Sequence, residues 1–301
     1  MTVTARAPAK VNVQLAVGPL RPDGFHELTT VYLAVSLFDT VTVRAEEGLS
    51  VSVSGLDAGV VPTDRRNLVW RAAELLAEHA GVRADAAIEI AKSIPAAAGL
   101  AGGSADAAAA LVALDALWGT RAGREDLGGL AARLGSDVPF SLLGGVALGS
   151  GRGEQLSPVL ARARWDWVLG IAGDGLSTPV VYAELDRLRA AGVLPDDGAP
   201  GPADPVIAAL RDGTPAVLAA ALANDLQAPA LALRPELGSA LRAMTDAGAL
   251  AALVSGSGPT VAALARDERA AVRLAAELAG AGLFRTVRAV HGPVPGARLV
   301  S

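Results

Sequence analysis

The segment Ile94-Pro-Ala-Ala-Ala-Gly-Leu-Ala-Gly-Gly-Ser-Ala-Asp106 constrains this chain more than any other. A strand-like run, Ala87 to Ile94, feeds a loop of small residues, and the loop runs into an alanine-rich stretch ending at Trp118. Gly99, Gly102 and Gly103 allow dihedrals closed to other residues and let the backbone approach a bulky partner. Ser104 is a good N-cap, so the spacing predicts a helix over 105–118. A helix start exposes free N–H groups at the positive end of its dipole, where an anion is stabilised. Two better-known phosphate loops are excluded. No lysine follows Gly103 as Walker A requires, and Gly99-Leu-Ala-Gly-Gly-Ser does not fit the dinucleotide fingerprint. Two readings stay open: a phosphate cradle, or a tight turn ahead of a closely packed alanine helix.

Composition removes several classes of function. A net charge of −5 with no basic run argues against nucleic acid as a partner, since the phosphate backbone demands clustered Lys and Arg. Cys is absent, so disulfides and thiolate metal sites are impossible. His26, His79 and His291 lie far apart, and no zinc spacing or carboxylate pair reads as a dedicated metal site. No stretch reads as a membrane span, and Met1-Thr-Val-Thr-Ala-Arg-Ala-Pro8 does not read as a secretory signal. The expectation is a cytoplasmic protein with no membrane partner, a monomer or weak homodimer.

Along the chain, Lys10, Asn12 and Gln14 alternate with Val11, Val13 and Leu15. This is the period of a strand with one polar face. Pro22-Asp23-Gly24 marks a turn, and strands are expected over 29–37, 40–45 and 49–54. Asn67 to Ala80 reads as a helix stopped by Gly81, and Arg124 to Leu134 as another closed by Gly135. Ser136-Asp137-Val138-Pro139 is a polar corner, and 144–151 a small-residue strand or loop. A strand over 166–172 follows, then a Pro/Gly-rich surface loop after Leu194. Helices are expected over 203–211, 215–222 and 235–247. Two strands, 249–254 and 260–265, are joined by Ser255-Gly-Ser-Gly-Pro259. The first strands are contiguous rather than separated by helices, which favours α+β over a doubly wound sheet. The boundary between halves falls near 155–165.

Three separated motifs now stand together: Pro8-Ala9-Lys10-Val11-Asn12, Pro95 to Ala105, and Ser255-Gly-Ser-Gly-Pro-Thr260. In order and spacing the chain resembles the GHMP family of small-molecule kinases. The resemblance implies a two-domain α+β fold with the active site in the cleft between domains. The N-terminal domain, residues 1–160, would be ribosomal-protein-S5-like and carry the phosphate loop. The C-terminal domain, residues 161–301, would be ferredoxin-like. ATP, with Mg²⁺, is the implied cofactor. Its phosphates would be held by Pro95, Ala96, Ala97, Ala98, Gly99, Leu100, Ala101, Gly102, Gly103, Ser104 and Ala105. Gly256, Ser257 and Gly258 would floor the cleft.

Finer details, Arg21-Pro-Asp-Gly-Phe-His-Glu27, Gly135-Ser-Asp-Val-Pro-Phe140 and Asn224-Asp-Leu226, resemble the branch that phosphorylates a cytidine-diphosphate ester of methylerythritol. This implies a small-molecule alcohol as substrate. Lys10 and Asp137 are the implied catalytic residues: Asp137 accepts the hydroxyl proton, and Lys10 keeps that carboxylate ionised. Phe25 and Tyr182 would stack on the cytosine, His26 would meet the base edge, and Asn12 a substrate hydroxyl. Thr178 and Asp174, flanking the Gly175-Leu-Ser turn, would touch the substrate or simply frame a plain turn. Asn224 and Asp225 would buttress the cleft. Three departures from the family pattern stand out: Ala101 for a glycine, Ala105 for a hydroxyl residue, and Phe25 for tyrosine. Ala101 is compatible with the cradle if its φ is negative. The alternatives are a family kinase for homoserine or mevalonate, or an inactive nucleotide sensor.

Overall fold

The computed structural model describes residues 1–171, 173 and 175–300. Its first sheet grows from a long hairpin, β1 (Thr2–Leu20) and β2 (His26–Arg44), closed by the turn in which Gly24 takes φ +83°. β2 is one strand, where the sequence suggested two: its pairing with β1 resumes past a bulge at Ser36 and Leu37, and Val35, Leu37, Val41 and Val43 are buried on both sides of it. β3 (Leu49–Gly55) and β4 (Ala86–Lys92) extend the sheet in the order β2-β4-β3, with β3 and β4 parallel. The other half of β2 pairs with β5 (Val146–Ser150), which carries β6 (Gln155–Pro158).

Against this sheet pack α1 (Leu68–Ala80) and α2 (Gly102–Trp118); α3 (Arg124–Leu134) packs on these two helices and on α4 (Val138–Leu143), which reaches β1. Asn67 caps α1 by accepting from the Val69 N–H at 2.9 Å, and Gly81 ends it in the left-handed region at φ +67°. Alanines from Ala105 to Ala113 are buried on most sides of α2, so small side chains let β1, β2 and α1 all approach one helix.

The chain crosses to a second, wholly antiparallel sheet between β6 and β7 (Trp165–Ile171). There follow α5 (Thr178–Ala190), α6 (Asp204–Asp212), α7 (Pro215–Ala221), β8 (Ala223–Asn224), α8 (Gln227–Leu233) and α9 (Glu236–Asp246). Then come β9 (Ala251–Val254), β10 (Thr260–Leu264), α10 (Glu268–Gly280), β11 (Thr286–Gly292) and β12 (Arg298–Leu299). The second sheet runs β11-β7-β10-β9. Its core holds Val168, Leu185, Met244, Val254 and Leu274. The later chain also returns to the first sheet: Val206, Leu210 and Leu218 join its core, and β8 and β12 pair with β1. No helix among the described residues is long and apolar enough to cross a membrane.

One expectation is corrected at the start of α2. The helix begins at Gly102, three residues before the predicted start, and Ser104 lies inside its first turn rather than capping it. Ala101 occupies the cap position with φ +59° and makes no side-chain hydrogen bond there. Its φ is therefore positive, against the expectation, and Ala97 shares the left-handed region at φ +51°. Conversely, Gly102 and Gly103 are helical; Gly99, at φ +76°, is the loop glycine with the unusual dihedral.

Candidate active site

Strand β1 delivers Lys10 and Asn12 to the floor of one cavity of about 740 Å³. Both are buried, and they are fixed by a chain of hydrogen bonds. Lys10 Nζ donates to Asn12 Oδ1 at 2.6 Å, Asn12 Nδ2 to Thr30 Oγ1 at 2.8 Å, and Thr30 Oγ1 to the Gln14 carbonyl at 2.7 Å. Asp137 faces Lys10 with Oδ2 at 3.8 Å from Nζ. Burial holds the Lys10 ammonium below the usual lysine value, with the Asp137 charge opposing it.

Asp137 precedes α4, with Pro139 in the first turn, but its side chain makes no capping hydrogen bond. Tyr32 holds it instead: the phenol donates to Oδ1 at 3.2 Å. Burial first, and the Asp137 charge second, push the Tyr32 hydroxyl far above its ordinary range, so it stays a donor. The ring stacks on Phe140 of α4, 4.8 Å between centroids.

The glycine loop enters the same cavity from the far side. Ala97, Ala98, Gly99, Ala101, Gly102, Gly103 and Ser104 line it, whereas Pro95, Leu100 and Ala105 are buried behind the lining. Ala96 donates its N–H to Asp57 Oδ2 at 3.0 Å. Beneath the loop lies a fully buried charge cluster. Asp39 Oδ1 accepts from the N–H groups of Ser93 and Ile94, at 2.5 and 2.8 Å, and its other oxygen pairs with Lys92. Lys92 Nζ also donates to Asp106 Oδ2, 2.7 Å away on α2. The two ends of the loop are thereby tied to one ammonium. Burial and the Asp39 charge push Asp106 up to about 8 despite Lys92; burial would lower Lys92, but the two carboxylates outweigh it and hold it raised. A Cβ on Gly102 would stand 3.1 Å from Lys92 Nζ and from the Ile94 side chain, so the helix starts in close contact with this cluster.

The third motif closes the floor. Gly256, at φ +57°, has its Cβ direction 3.1 Å from Lys10 Nζ, so any side chain there would crowd the lysine. Ser257 Oγ and Thr178 Oγ1 are hydrogen-bonded at 2.9 Å, and both residues line the cavity. Gly258 lies just outside the lining, before the cis peptide to Pro259. Asn224 buttresses the loop, donating Nδ2 to the carbonyls of Val254 and Gly256 at 2.7 and 2.8 Å. Asp225 does not reach it; it accepts from the Val17 N–H at 2.8 Å.

At the other end, Phe25, His26 and Tyr182 line the mouth. His26 Nε2 is 2.8 Å from Asp186 Oδ1, and its ring packs on Tyr182, 5.1 Å between centroids and tilted by 32°. Phe25 is exposed on one side and covered on another by the Arg152 guanidinium, 4.9 Å above the ring. Asp174 lies outside the described residues. Tyr32, Asp39, Lys92, Asp106 and Asp186 escaped the sequence reading. For Lys92 and Asp106 a signal existed: Lys92 falls on the same alternating face as Ile88 and Ile90, and Asp106 interrupts an alanine run that becomes buried.

Comparison with known proteins agrees with this layout. The family models described as GHMP kinases N terminal domain and GHMP kinases C terminal match residues 67–145 and 206–282. A 4-diphosphocytidyl-2-C-methyl-D-erythritol kinase of Rhodococcus jostii (strain RHA1) is 60% identical over 299 residues, 99% of this chain and 95% of that protein. A crystal structure of 4-(cytidine 5'-diphospho)-2C-methyl-D-erythritol kinase superposes with TM-score 0.77 at 37% identity, over 97% of this chain and 98% of that one. A homoserine kinase from Cytophaga hutchinsonii ATCC 33406 shares the fold alone, with TM-score 0.75 at 19% identity over 99% and 97% of the two chains. The chain belongs to the GHMP kinase family, on the branch of the 4-diphosphocytidyl-2-C-methyl-D-erythritol kinases.

Proposed function

We propose that this chain transfers the γ-phosphoryl group of ATP to the 2-hydroxyl of 4-(cytidine 5'-diphospho)-2-C-methyl-D-erythritol, in the non-mevalonate route to isoprenoid precursors. One observation carries the reading: Lys10, Asp137 and the glycine-loop start of α2 line a single cavity. A nucleotide seated on the N–H groups of the α2 start would have its phosphates neutralised there and aimed across the cavity. The alcohol would enter from the Phe25 end, with Asn12 beside its hydroxyls.

Phosphoryl transfer is mostly positioning and charge stabilisation. Asp137 Oδ1 is engaged by Tyr32, which leaves Oδ2, on the Lys10 side, to take the hydroxyl proton as the new O–P bond forms. The Lys10 ammonium compensates charge on the reacting oxygens. Magnesium would arrive with the nucleotide. Among the described residues no cluster of three acidic or histidine side chains offers it a cage, so phosphate oxygens and water fit as most of its shell. The reaction needs one copy of the chain, and we place it in the cytoplasm.

The test is ATP consumption with and without the cytidylylated alcohol. Wild type should consume ATP only with it, and D137N should lose about 10²–10⁴-fold in kcat, the usual share of a general base. Turnover of homoserine or mevalonate in its place would establish the rival kinase. Nucleotide binding without turnover of any alcohol would establish the sensor.

A further inference from the structure

Both ends of the phosphate loop are tied to Lys92, but its middle is held from elsewhere. Ala97 faces the cavity at φ +51°, and the Ala96 N–H beside it donates to Asp57 Oδ2 at 3.0 Å. Asp57, in the turn after β3, is itself left-handed at φ +57°. Aspartate is one of the residues that visit this region, whereas an alanine there is strained. Strain of this kind persists only where the surrounding structure over-determines it.

Three neighbours do so. The turn is pinned to the strand that feeds the loop: the Leu56 N–H donates to the Lys92 carbonyl at 3.0 Å. The Val60 and Val61 N–H groups close it on the Asp57 carbonyl, at 3.0 and 3.3 Å. From the second sheet, Arg285 grips Asp57 with both prongs, Nη1 donating to Oδ1 at 2.9 Å and Nη2 to Oδ2 at 3.1 Å. The main-chain N–H of Arg285 donates to the Ile171 carbonyl, at the end of β7, at 2.9 Å. Gly175, a few residues after β7, backs the loop: a Cβ on it would stand 2.9 Å from the Ala97 Cβ. Ala96 and Ala97 are thus clamped between a turn of the first sheet and two segments of the second. Hydrogen bonds from Arg285 hold the Asp57 carboxyl below its ordinary value, so it meets both donors ionised.

Neither Asp57 nor Arg285 lines the cavity. The Arg285 side chain is 41% exposed, and an ion pair this open contributes little to stability. What it fixes is a position. We propose that Asp57 and Arg285 are positioning residues for ATP, holding the Ala96 and Ala97 main chain where the nucleotide's phosphates meet it. This rests on the reading above, in which those phosphates sit on the glycine loop. The mouth at Phe25, His26 and Tyr182 is built from other elements, so the effect is confined to the nucleotide.

The experiment compares wild type with R285M, R285K, D57N and the double variant D57N/R285M. R285M keeps the stem and removes the fork of donors; D57N keeps a residue that accepts a left-handed backbone. Calorimetry measures binding of a non-hydrolysable ATP analogue and of cytidine 5'-diphosphate, beside steady-state kinetics and thermal unfolding. R285M and D57N should each weaken the analogue and raise KM for ATP about tenfold, the scale of one hydrogen bond to a charged phosphate. Affinity for cytidine 5'-diphosphate, kcat and KM for the cytidylylated alcohol should stay within about twofold, and Tm within about 2 °C. R285K should recover part of the loss. The double variant should bind the analogue no more than about twofold worse than R285M, because both residues act through one link.

A fall in Tm with analogue affinity unmoved would overturn the proposal, leaving the pair a matter of folding. Equal weakening of both ligands would overturn it too, as would losses that multiply in the double variant. If wild type fails to phosphorylate the cytidylylated alcohol but binds the analogue in this Arg285-dependent way, the substrate reading falls and the positioning role stands. If it phosphorylates the alcohol while analogue binding is indifferent to Arg285, the positioning role falls alone.

Discussion

Tyr32 shows how much of this site depends on one hydroxyl. A carboxylate that accepts a hydrogen bond is oriented by it. Y32F removes that donor and keeps the ring on Phe140. We expect kcat to fall about tenfold, near the low end of what a hydrogen bond to an ionised partner contributes. Tyr32 itself, raised by burial, does not titrate in the working range, so its loss should leave the alkaline limb of the pH–rate profile where it is. An unchanged kcat would mean that Tyr32 only fills space. At this scale Lys10 and Asp137 were legible because each is a charged residue inside a recognisable motif. Tyr32 was not: it reads as one more apolar strand residue, and its partner lies 105 residues away.

The element that most needs explanation is the loop into α2. Ala101 sits at φ +59°, a conformation that costs an L-residue about 1–2 kcal/mol over its right-handed alternatives. A glycine here would adopt it freely, at the cost of a more flexible unfolded chain. A101G should therefore raise Tm by about 1–3 °C in thermal unfolding, the net of the two effects. A lower Tm would show that the loop does not take this conformation in solution. The sequence-level error came from assigning glycine's freedom to every glycine in the motif. Gly102 sits where a Cβ would press on the Lys92 and Ile94 side chains, both at 3.1 Å, a constraint that shows only once the end of β4 is packed under the start of α2. Helices with local punctuation were read well: Asn67 and Gly81 bracket α1, and α3 runs over the expected residues. α10 was overlooked although Asp267 caps it, accepting from the Ala270 N–H at 2.8 Å.

In the whole molecule, the two glycine motifs meet backbone to backbone. Gly99 belongs to the loop over the first sheet, while Ser255 to Gly258 joins β9 to β10 in the second. The Ser255 hydroxyl donates to the Gly99 carbonyl at 3.2 Å, and the Thr260 N–H reaches the Ala98 carbonyl at 3.4 Å. Arg285, just before β11, adds a paired contact to Asp57, at 2.9 and 3.1 Å, and Asp57 in turn accepts from Ala96. No local pattern announces such contacts, since they join residues whose only common property is smallness or charge. They add to the direct bond from the Lys10 N–H to the Leu100 carbonyl, at 3.2 Å, in fixing the distance from the phosphate loop to Lys10, because Gly256 of the same turn backs that lysine. A Cβ on Gly99 would stand 2.2 Å from the Ser255 carbonyl oxygen, which is backbone and cannot swing aside, and φ +76° adds strain. G99A must then separate the loops or distort both. We expect Tm to fall by about 5 °C or more. Below that transition, kcat/KM for ATP should fall about a hundredfold, the penalty of a reacting group displaced by about 1 Å. If G99A kept wild-type kcat/KM while losing stability, the contact would be a matter of folding alone, and the register between loop and lysine would be set by the Lys10 N–H bond to the Leu100 carbonyl and the Arg285–Asp57–Ala96 link instead.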